Sequence, residues 1–228
     1  MERFARAKAA GFEAVELLDP FEVPAAKLRN AVATHGLEMV LINCPAPGSG
    51  HGAAVPGSEF RAEFRRTLRA ADVIGPQFIH IMAGHAKGAA ADACFRENLR
   101  WAAEVAGEQR LTIEPLNGGD WPGYFLNDYD QAREISDDIG APNLHLQFDA
   151  YHVHRIHGDV LSLWHRLKDV TAHVQVAQVP DRSEPDGGVI DYPRFFAQLD
   201  ADGYPGWVSG EYRPATTTEA GLSWIAPS

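Results

Sequence analysis

Residues 78–114, which read FIHIMAGHAKGAAADACFRENLRWAAEVAGEQRLTIE, contain the pattern that decides the fold. The stretch begins with the apolar run Phe78–Met82 and ends with a second run, Leu111–Glu114. Between the two runs, apolar residues recur at helical spacing over Phe95–Ala106. A strand, a helix and a second strand in this order predict one right-handed βαβ unit with parallel strands.

The same alternation extends in both directions along the chain. Further strand-like runs occur at Ala14–Leu18, Glu38–Asn43, Leu144–Phe148, Ala172–Val176 and Trp207–Glu211. Further helical patterns occur at Ala25–Thr34, Glu59–Ile74, Tyr129–Ile139, Val160–Leu167 and Pro193–Ala201. Repeated strand–helix units predict the α/β class, and here a single TIM-type (β/α) barrel domain over residues 1–228.

The strand count is one short of the eight strands in a closed barrel of this type. The sequence contains seven strand-like runs, and the chain opens inside a helix-like segment, Glu2–Ala10. We therefore expect a barrel that lacks its first β-strand. Open sheet edges favour pairing with another chain, so this edge would favour a homo-oligomer, although the sequence does not determine the oligomeric state.

Charge and composition limit the kinds of binding partner and the cellular compartment that are expected. The chain has 20 basic and 31 acidic residues and a net charge of −11, which disfavours binding to a phosphate backbone. No apolar run approaches the roughly 18 residues that span a bilayer, so no membrane partner is expected. The two cysteines, Cys44 and Cys94, are far apart in sequence, which is typical of a reduced cytoplasmic protein.

Four strand-like runs have, at or near their carboxyl ends, a residue whose side-chain oxygen could bind a metal ion. These side chains are Glu114, Asp149, Gln175 and Glu211. In a parallel barrel the carboxyl ends of all strands open on one face, so the four groups can converge there. An all-oxygen set favours Mg²⁺ or Mn²⁺ over zinc and tolerates Co²⁺ or Ni²⁺. Taken singly, each residue could equally cap the next helix.

The sequence around these residues resembles the hydroxypyruvate isomerase family, a branch of the xylose-isomerase-like barrels. The resemblance runs from about Gly11 to Trp224 and is carried by five motifs: IEPLN at 113–117, DWPGYFLN at 120–127, QFDAYH at 147–152, HVQVAQVPDR at 173–182 and GEYRP at 210–214. It implies that Glu114, Asp149, Gln175 and Glu211 are the metal ligands. It also implies that Glu114 and Glu211 are the catalytic acid/base pair.

The resemblance implies an isomerase, an intramolecular oxidoreductase that interconverts hydroxypyruvate and tartronate semialdehyde through an enediolate. Its substrate would be a small sugar acid, and its cofactor a divalent ion, Mg²⁺ or Mn²⁺. The same ligands would serve a 2-oxo-tetronate isomerase, a ketose 3-epimerase or a metal-dependent lyase. An endonuclease of the superfamily needs His-rich zinc ligands and a basic groove, which the charge disfavours. A metal-binding barrel without turnover, or a fragment completed by a partner, also stays open.

Four further residues are candidates for substrate binding. Similarity to ketose epimerases places the substrate-binding His and Arg at His152 and Arg182, and an ordinary packed His or loop Arg is the alternative. His80 and Asp120 complete the set, because each lies at or after the end of a strand-like run. For His80, a histidine packed inside the barrel is the stronger interpretation. Trp121 and Tyr124 are expected to shape or cover the site.

Three other features bear on the same site. The sequence departs from the family at Gln178 and Val189, where Asp and Glu are usual, and it lacks an Arg near Gly119, so substrate contacts are expected to differ. An alternative is a zinc site formed by His152, His154 and His157. No Cys or further His nearby in the sequence completes a convincing set of zinc ligands. The loops Pro45–Gly57 and Pro180–Gly188 follow strands and are expected to carry function.

Overall fold

The computed structural model describes residues 1–44 and 51–225, and it divides into two compact units, Met1–Leu146 and Gln147–Ser228. The helices of the first unit are α1 (Glu2–Ala9), α2 (Ala25–Thr34), α3 (Phe60–Ile74), α4 (Ala89–Ala106) and α5 (Tyr129–Ile139). Its strands are β1 (Ala14–Leu17), β2 (Glu38–Cys44), β3 (Phe78–Ile81) and β4 (Arg110–Ile113). A fifth strand, β5 (Leu144–Asp149), crosses the boundary between the units.

The strands of the first unit are parallel and pair in chain order. Phe78 of β3 pairs with Leu41 of β2 on one side and with Arg110 of β4 on the other. Leu111 of β4 pairs in turn with Leu144 at the start of β5. The βαβ unit expected over residues 78–114 is therefore confirmed. Strands β2, β3 and β4 are buried almost throughout, as expected for parallel strands covered on both faces, whereas β1 is mostly half-buried.

The second unit repeats the alternation of helices and parallel strands. It contains α6 (Ala150–His157), α7 (Val160–Leu167), β6 (Thr171–Val176), α8 (Tyr192–Ala201) and β7 (Val208–Gly210), followed by two short 3₁₀ helices, Glu219–Gly221 and Ser223–Ile225. Strands β6 and β7 are parallel, and Gln175 pairs with Ser209. Three aromatic side chains, Phe148, Trp164 and Phe195, pack edge-to-face or stacked in the core of this unit.

The structure differs from the sequence prediction at two helices. Helix α4 begins at Ala89, six residues before the predicted start, because the alanine-rich run before Phe95 favours helix. Helix α6 was not predicted, because its polar sequence AYHVHRIH hides the periodicity. Its first turn is stabilised by Asp149, whose side chain accepts a hydrogen bond from the backbone N–H of Tyr151.

The two loops that were expected to carry function are described to different extents. Residues 45–50 of the loop Pro45–Gly57 lie outside the described residues. The rest of this loop lies against the end of β3, because Ala53 donates its backbone N–H to the carbonyl of Met82. The loop Pro180–Gly188 is described in full. None of the helices in the described part of the chain is long and apolar enough to cross a bilayer.

Candidate active site

Glu114 directly follows β4 and has only 3% of its surface exposed. His80 lies inside the neighbouring strand β3, and its Nε2 is 3.8 Å from Glu114 Oε2. The other ring nitrogen of His80, Nδ1, is 3.3 Å from the side-chain oxygen of Asn43 in β2. Three adjacent parallel strands therefore bring a carboxylate, an imidazole and an amide together in the first unit.

The loop after Glu114 is held by side-chain hydrogen bonds. Asn117 accepts a hydrogen bond from the backbone N–H of Asp120 and donates one, 3.0 Å long, to its carboxylate. Asp120 itself is exposed, so its predicted contact with substrate stays a prediction. The hydroxyl of Tyr124 accepts a hydrogen bond from the backbone N–H of Ala83 at 2.8 Å. Burial raises the pKa of Tyr124, and the charge of Glu114 raises it further.

An aromatic group lies on the outer side of the same loop. Trp121 is 38% exposed, and its ring centroid is 6.3 Å from the rings of both His85 and Tyr124. The Nδ1 atom of His85 is also 3.2 Å from the carbonyl of Pro122. That Trp121 and Tyr124 shape or cover the site stays a prediction.

In the second unit, Asp149 ends β5 and faces His152 from one helical turn away. Nε2 of His152 is 3.7 Å from Asp149 Oδ2, and neither residue has exposed surface. The i, i+3 spacing on α6 places the two side chains on one face of the helix. Sequence reasoning expected these two residues to share a site, and the second unit brings them together.

Arg182 connects Asp149 to Glu211, the residue that directly follows β7. One guanidinium nitrogen of Arg182 is 3.0 Å from Asp149 Oδ2 and 3.1 Å from Glu211 Oε2. The Nε–H of Arg182 also donates to the backbone carbonyl of Glu211, and its guanidinium lies 5.1 Å from the ring centre of Tyr151. Three residues predicted from separate βα units thus form one cluster.

Gln175 is fully buried in β6, and its side-chain oxygen accepts a 2.6 Å hydrogen bond from the side-chain amide of Gln147 in β5. A carbonyl oxygen has two lone pairs, so an amide oxygen can accept a hydrogen bond and still be a metal ligand. This geometry is compatible with the predicted role of Gln175 as a ligand.

The charges of the cluster formed by Asp149, Arg182 and Glu211 indicate whether a cation fits the second unit. Asp149 and Glu211 carry two negative charges against the single positive charge of Arg182, and Asp149 is fully buried. A divalent ion would suit these carboxylates, since their hard oxygen atoms are the ligands that such ions prefer. Asp149 and His152 are both buried in this unit, and each offers a ligand atom that a metal ion could take. The residues present therefore fit a metal cofactor.

The zinc alternative through α6 gains no support from this geometry. His152 has no exposed surface, whereas His154 and His157 are partly exposed near the end of the helix. A spacing of two residues turns side chains to opposite sides of a helix. In the parts of the chain that the structure describes, these three histidines do not form a ligand group.

Several polar residues around the candidate site were missed from the sequence. Asn43, Asn117 and Gln147 are buried amides, and each holds a candidate residue through its side chain. Tyr192 is also buried, and its hydroxyl both donates to the carbonyl and accepts from the N–H of Ala177, directly after β6. A polar residue inside an apolar strand could have indicated Asn43 and Gln147. No sequence signal indicated Tyr192.

Comparisons with known proteins agree with this architecture. The profile of the family described as "Xylose isomerase-like TIM barrel" matches residues 4–228. A protein of Cupriavidus necator named 2-oxo-tetronate isomerase is 45% identical over 240 residues, which cover 100% of this chain and 92% of that protein. The hydroxypyruvate isomerase of Escherichia coli is 36% identical over 239 residues, which cover 100% and 93%.

A solved structure gives the same result for the fold. The crystal structure of a Brucella melitensis protein described as AP endonuclease, family 2, superposes with a TM-score of 0.95 at 37% identity, covering 99% of this chain and 92% of that one. The expected (β/α) barrel class and the resemblance carried by the five motifs are both confirmed. The chain belongs to the xylose isomerase-like TIM barrel family, and it is an isomerase.

Proposed function

We propose that this protein isomerises a small 2-oxo sugar acid, with Glu114 and Glu211 as the proton-transferring pair and a divalent cation as cofactor. The observation that carries the proposal is the position of the two carboxylates. Each directly follows a parallel strand, and each belongs to a cluster of polar side chains. The relatives that cover this chain from end to end are named as sugar-acid isomerases.

The reaction moves a carbonyl group to the neighbouring carbon. One carboxylate removes the proton from the carbon beside the carbonyl and leaves an enediolate. The second carboxyl group returns a proton to the former carbonyl carbon, while the proton of the neighbouring hydroxyl group passes to the former carbonyl oxygen. Positioned acid–base groups of this kind contribute about 10²–10⁴-fold to the rate.

Glu114, Asp149, Gln175 and Glu211 are the proposed metal ligands. When bound, Mg²⁺ or Mn²⁺ would polarise the carbonyl and stabilise the developing enediolate. Arg182 can donate to the substrate's carboxylate, because a guanidinium carries five N–H donors in a fixed fork. His152 is proposed to bind a substrate oxygen beside Asp149, and His80 is proposed to do so beside Glu114.

Two substrates are candidates, and they differ by one carbon. The motif resemblance favours hydroxypyruvate, which has three carbons. The 45% identity to a protein named 2-oxo-tetronate isomerase, higher than the 36% to the named hydroxypyruvate isomerase, favours the four-carbon acid. We also propose a cytoplasmic location, because both cysteines are free thiols.

The test is a parallel isomerisation assay with both sugar acids, in Mg²⁺, in Mn²⁺ and in excess chelator. We expect turnover that chelator removes and that added metal restores, with a higher kcat/KM for one of the two acids. Metal-independent turnover would contradict the cofactor. Loss of substrate with a gain of conjugated absorbance would instead indicate a lyase. Nicking of abasic DNA is measured alongside because of the description of the Brucella protein, and the net charge of −11 disfavours that activity.

A further inference from the structure

The loop between β6 and α8, residues 177–191, carries Arg182 in an unusual backbone conformation. Arg182 has φ of +56°, a left-handed value that only glycine adopts without strain. Such a residue persists only when its surroundings hold it there. Part of this support is local, because the carbonyl of Arg182 accepts a 2.7 Å hydrogen bond from the backbone N–H of Arg213.

A second support comes from Gln178, which is buried at the start of the same loop. Its side-chain nitrogen donates toward the carbonyls of Asp186, Gly187 and Ile190 at 3.0–3.2 Å. Its side-chain oxygen accepts hydrogen bonds from the backbone N–H groups of Val179 and Ile190. The two ends of the loop are therefore tied to one amide group.

The backbone around Gln178 fits this amide closely. The N–H of Gln178 donates to the carbonyl of Ser183 at 2.9 Å, which closes the segment that contains Arg182. Gly188 lies against the amide, and a Cβ added there would be 2.8 Å from Gln178 Cδ. The amide orientation is fixed, because exchanging its oxygen and nitrogen would oppose each of these hydrogen bonds.

We propose that Gln178 is a positioning residue that acts through Arg182. The amide holds the loop in the one conformation in which the left-handed Arg182 directs its guanidinium at Asp149 and Glu211. Gln178 does not touch the carboxylates itself. The inference rests on the proposed function in one respect, namely that Arg182 also binds the carboxylate of the sugar acid.

The experiment replaces Gln178 by Met, which keeps the volume and removes every hydrogen bond of the amide. Hydrogen–deuterium exchange of the intact protein is followed over residues 179–190. Steady-state kinetics with the better sugar acid give kcat and KM separately. We expect faster exchange in this loop and a KM about tenfold higher, with kcat within about threefold, as for a lost contact with bound substrate.

Asn143→Leu is the matched control. Asn143 is also a buried amide that donates to three backbone carbonyls, those of Ala103, Gly107 and Gln109. Those carbonyls lie near the amino end of β4, away from Glu114. The control should lower thermal stability and speed exchange around residues 103–110, and it should leave KM unchanged.

A double-mutant cycle separates positioning through Arg182 from a general structural role. In an Arg182→Ala background, Gln178→Met should raise KM by less than about twofold, because residues that act through one another are not additive. A full tenfold increase there, an unchanged KM in Gln178→Met alone, or unchanged loop exchange would each overturn the proposal. If Gln178→Met does not fold, Gly188→Ala, which displaces the amide without removing it, is subjected to the same measurements. Absence of wild-type turnover would refute the proposed function, whereas the exchange data would still test Gln178.

Discussion

The two units place carboxylates at strand ends in different electrostatic surroundings. In the first unit, Glu114 faces His80, whose other nitrogen is held by Asn43. In the second unit, Asp149 and Glu211 share the guanidinium of Arg182, which is charged at every relevant pH. The second cluster therefore holds a permanent positive charge, which can also bind an anion.

The largest effect is expected for Glu114 and Glu211, the two carboxylates that are proposed to transfer protons. Glu114→Gln and Glu211→Gln each remove one proton carrier and keep the side-chain shape, so each should lower kcat by about 10²–10⁴-fold. Single-turnover and steady-state rates with the sugar acid measure the loss. Circular dichroism checks that both variants stay folded.

A carboxylate outside the site provides the control for this pair. Glu63 on α3 is partly buried and lies 2.6 Å from Nδ1 of His51, and Glu63→Gln should leave kcat within about twofold, as is usual for a substitution away from the chemistry. Retained turnover in Glu114→Gln or Glu211→Gln would remove that residue from the acid/base role.

The next effect concerns the feature that only the second unit has. Arg182→Ala removes charge-assisted hydrogen bonds that are worth about 1.5–3 kcal/mol, so KM should rise about 10- to 150-fold. Arg182→Lys keeps the charge without the planar fork and should recover only part of the loss. The exposed neighbour Arg213, as Arg213→Ala, serves as control because its backbone N–H remains. An unchanged KM in Arg182→Ala would refute the role in anion binding.

A smaller effect tests a feature that the two units share. Tyr124 and Tyr192 each hold backbone groups just after a strand, at Ala83 and at Ala177. Phenylalanine at either position leaves a buried backbone group without its partner, which costs about 1–3 kcal/mol of stability. Urea unfolding of Tyr124→Phe and Tyr192→Phe measures this loss.

The partly exposed Tyr212, as Tyr212→Phe, is the control for the two buried tyrosines. Its hydroxyl accepts only a long hydrogen bond, 3.3 Å, from Trp224. The change should be within about 0.5 kcal/mol. A loss as large as that of the two buried tyrosines would show that the hydroxyl contacts at the strand ends are not special.

The sequence alone was sufficient for the alternation of strands and helices. Runs such as FIHIM and LTIE are short, apolar and followed by helical periodicity, so local pattern and buried position agree. Helix α6 escaped prediction because polar residues lie on its buried side: His152 faces Asp149 from inside the helix. Where function places polar groups on the buried face, periodicity loses its signal.

The candidate site was predictable to the extent that it consists of strand ends. Glu114, Asp149 and Glu211 are recognisable because a carboxylate at the end of an apolar strand needs a partner. The residues that hold them were not recognisable. From the sequence, Gln178 was interpreted as a difference from the family in a substrate contact. The structure shows instead that its amide is hydrogen-bonded to the backbone of its own loop. Contacts to backbone carbonyls depend on the loop path, which a single sequence does not reveal.

The smallest expected effect compares the clusters through the pH dependence of stability. Burial raises the pKa of Tyr124 and of Tyr192 above the ordinary value of about 10, and the charges of Glu114 and Asp149 respectively add to the shift. Their contribution to stability is complete below about pH 10 and is lost as the pH rises further, because the unfolded chain ionises first. Each tyrosine can contribute up to about 1.4 kcal/mol per pH unit there. Tyr124→Phe and Tyr192→Phe should therefore lose stability less steeply than the wild type between about pH 10 and pH 11. Urea unfolding at the two pH values measures how steeply the free energy of unfolding falls with pH. A shallower fall in both variants means that each tyrosine is kept neutral in its folded unit. A fall equal to that of the wild type in either variant refutes the pKa shift in that unit.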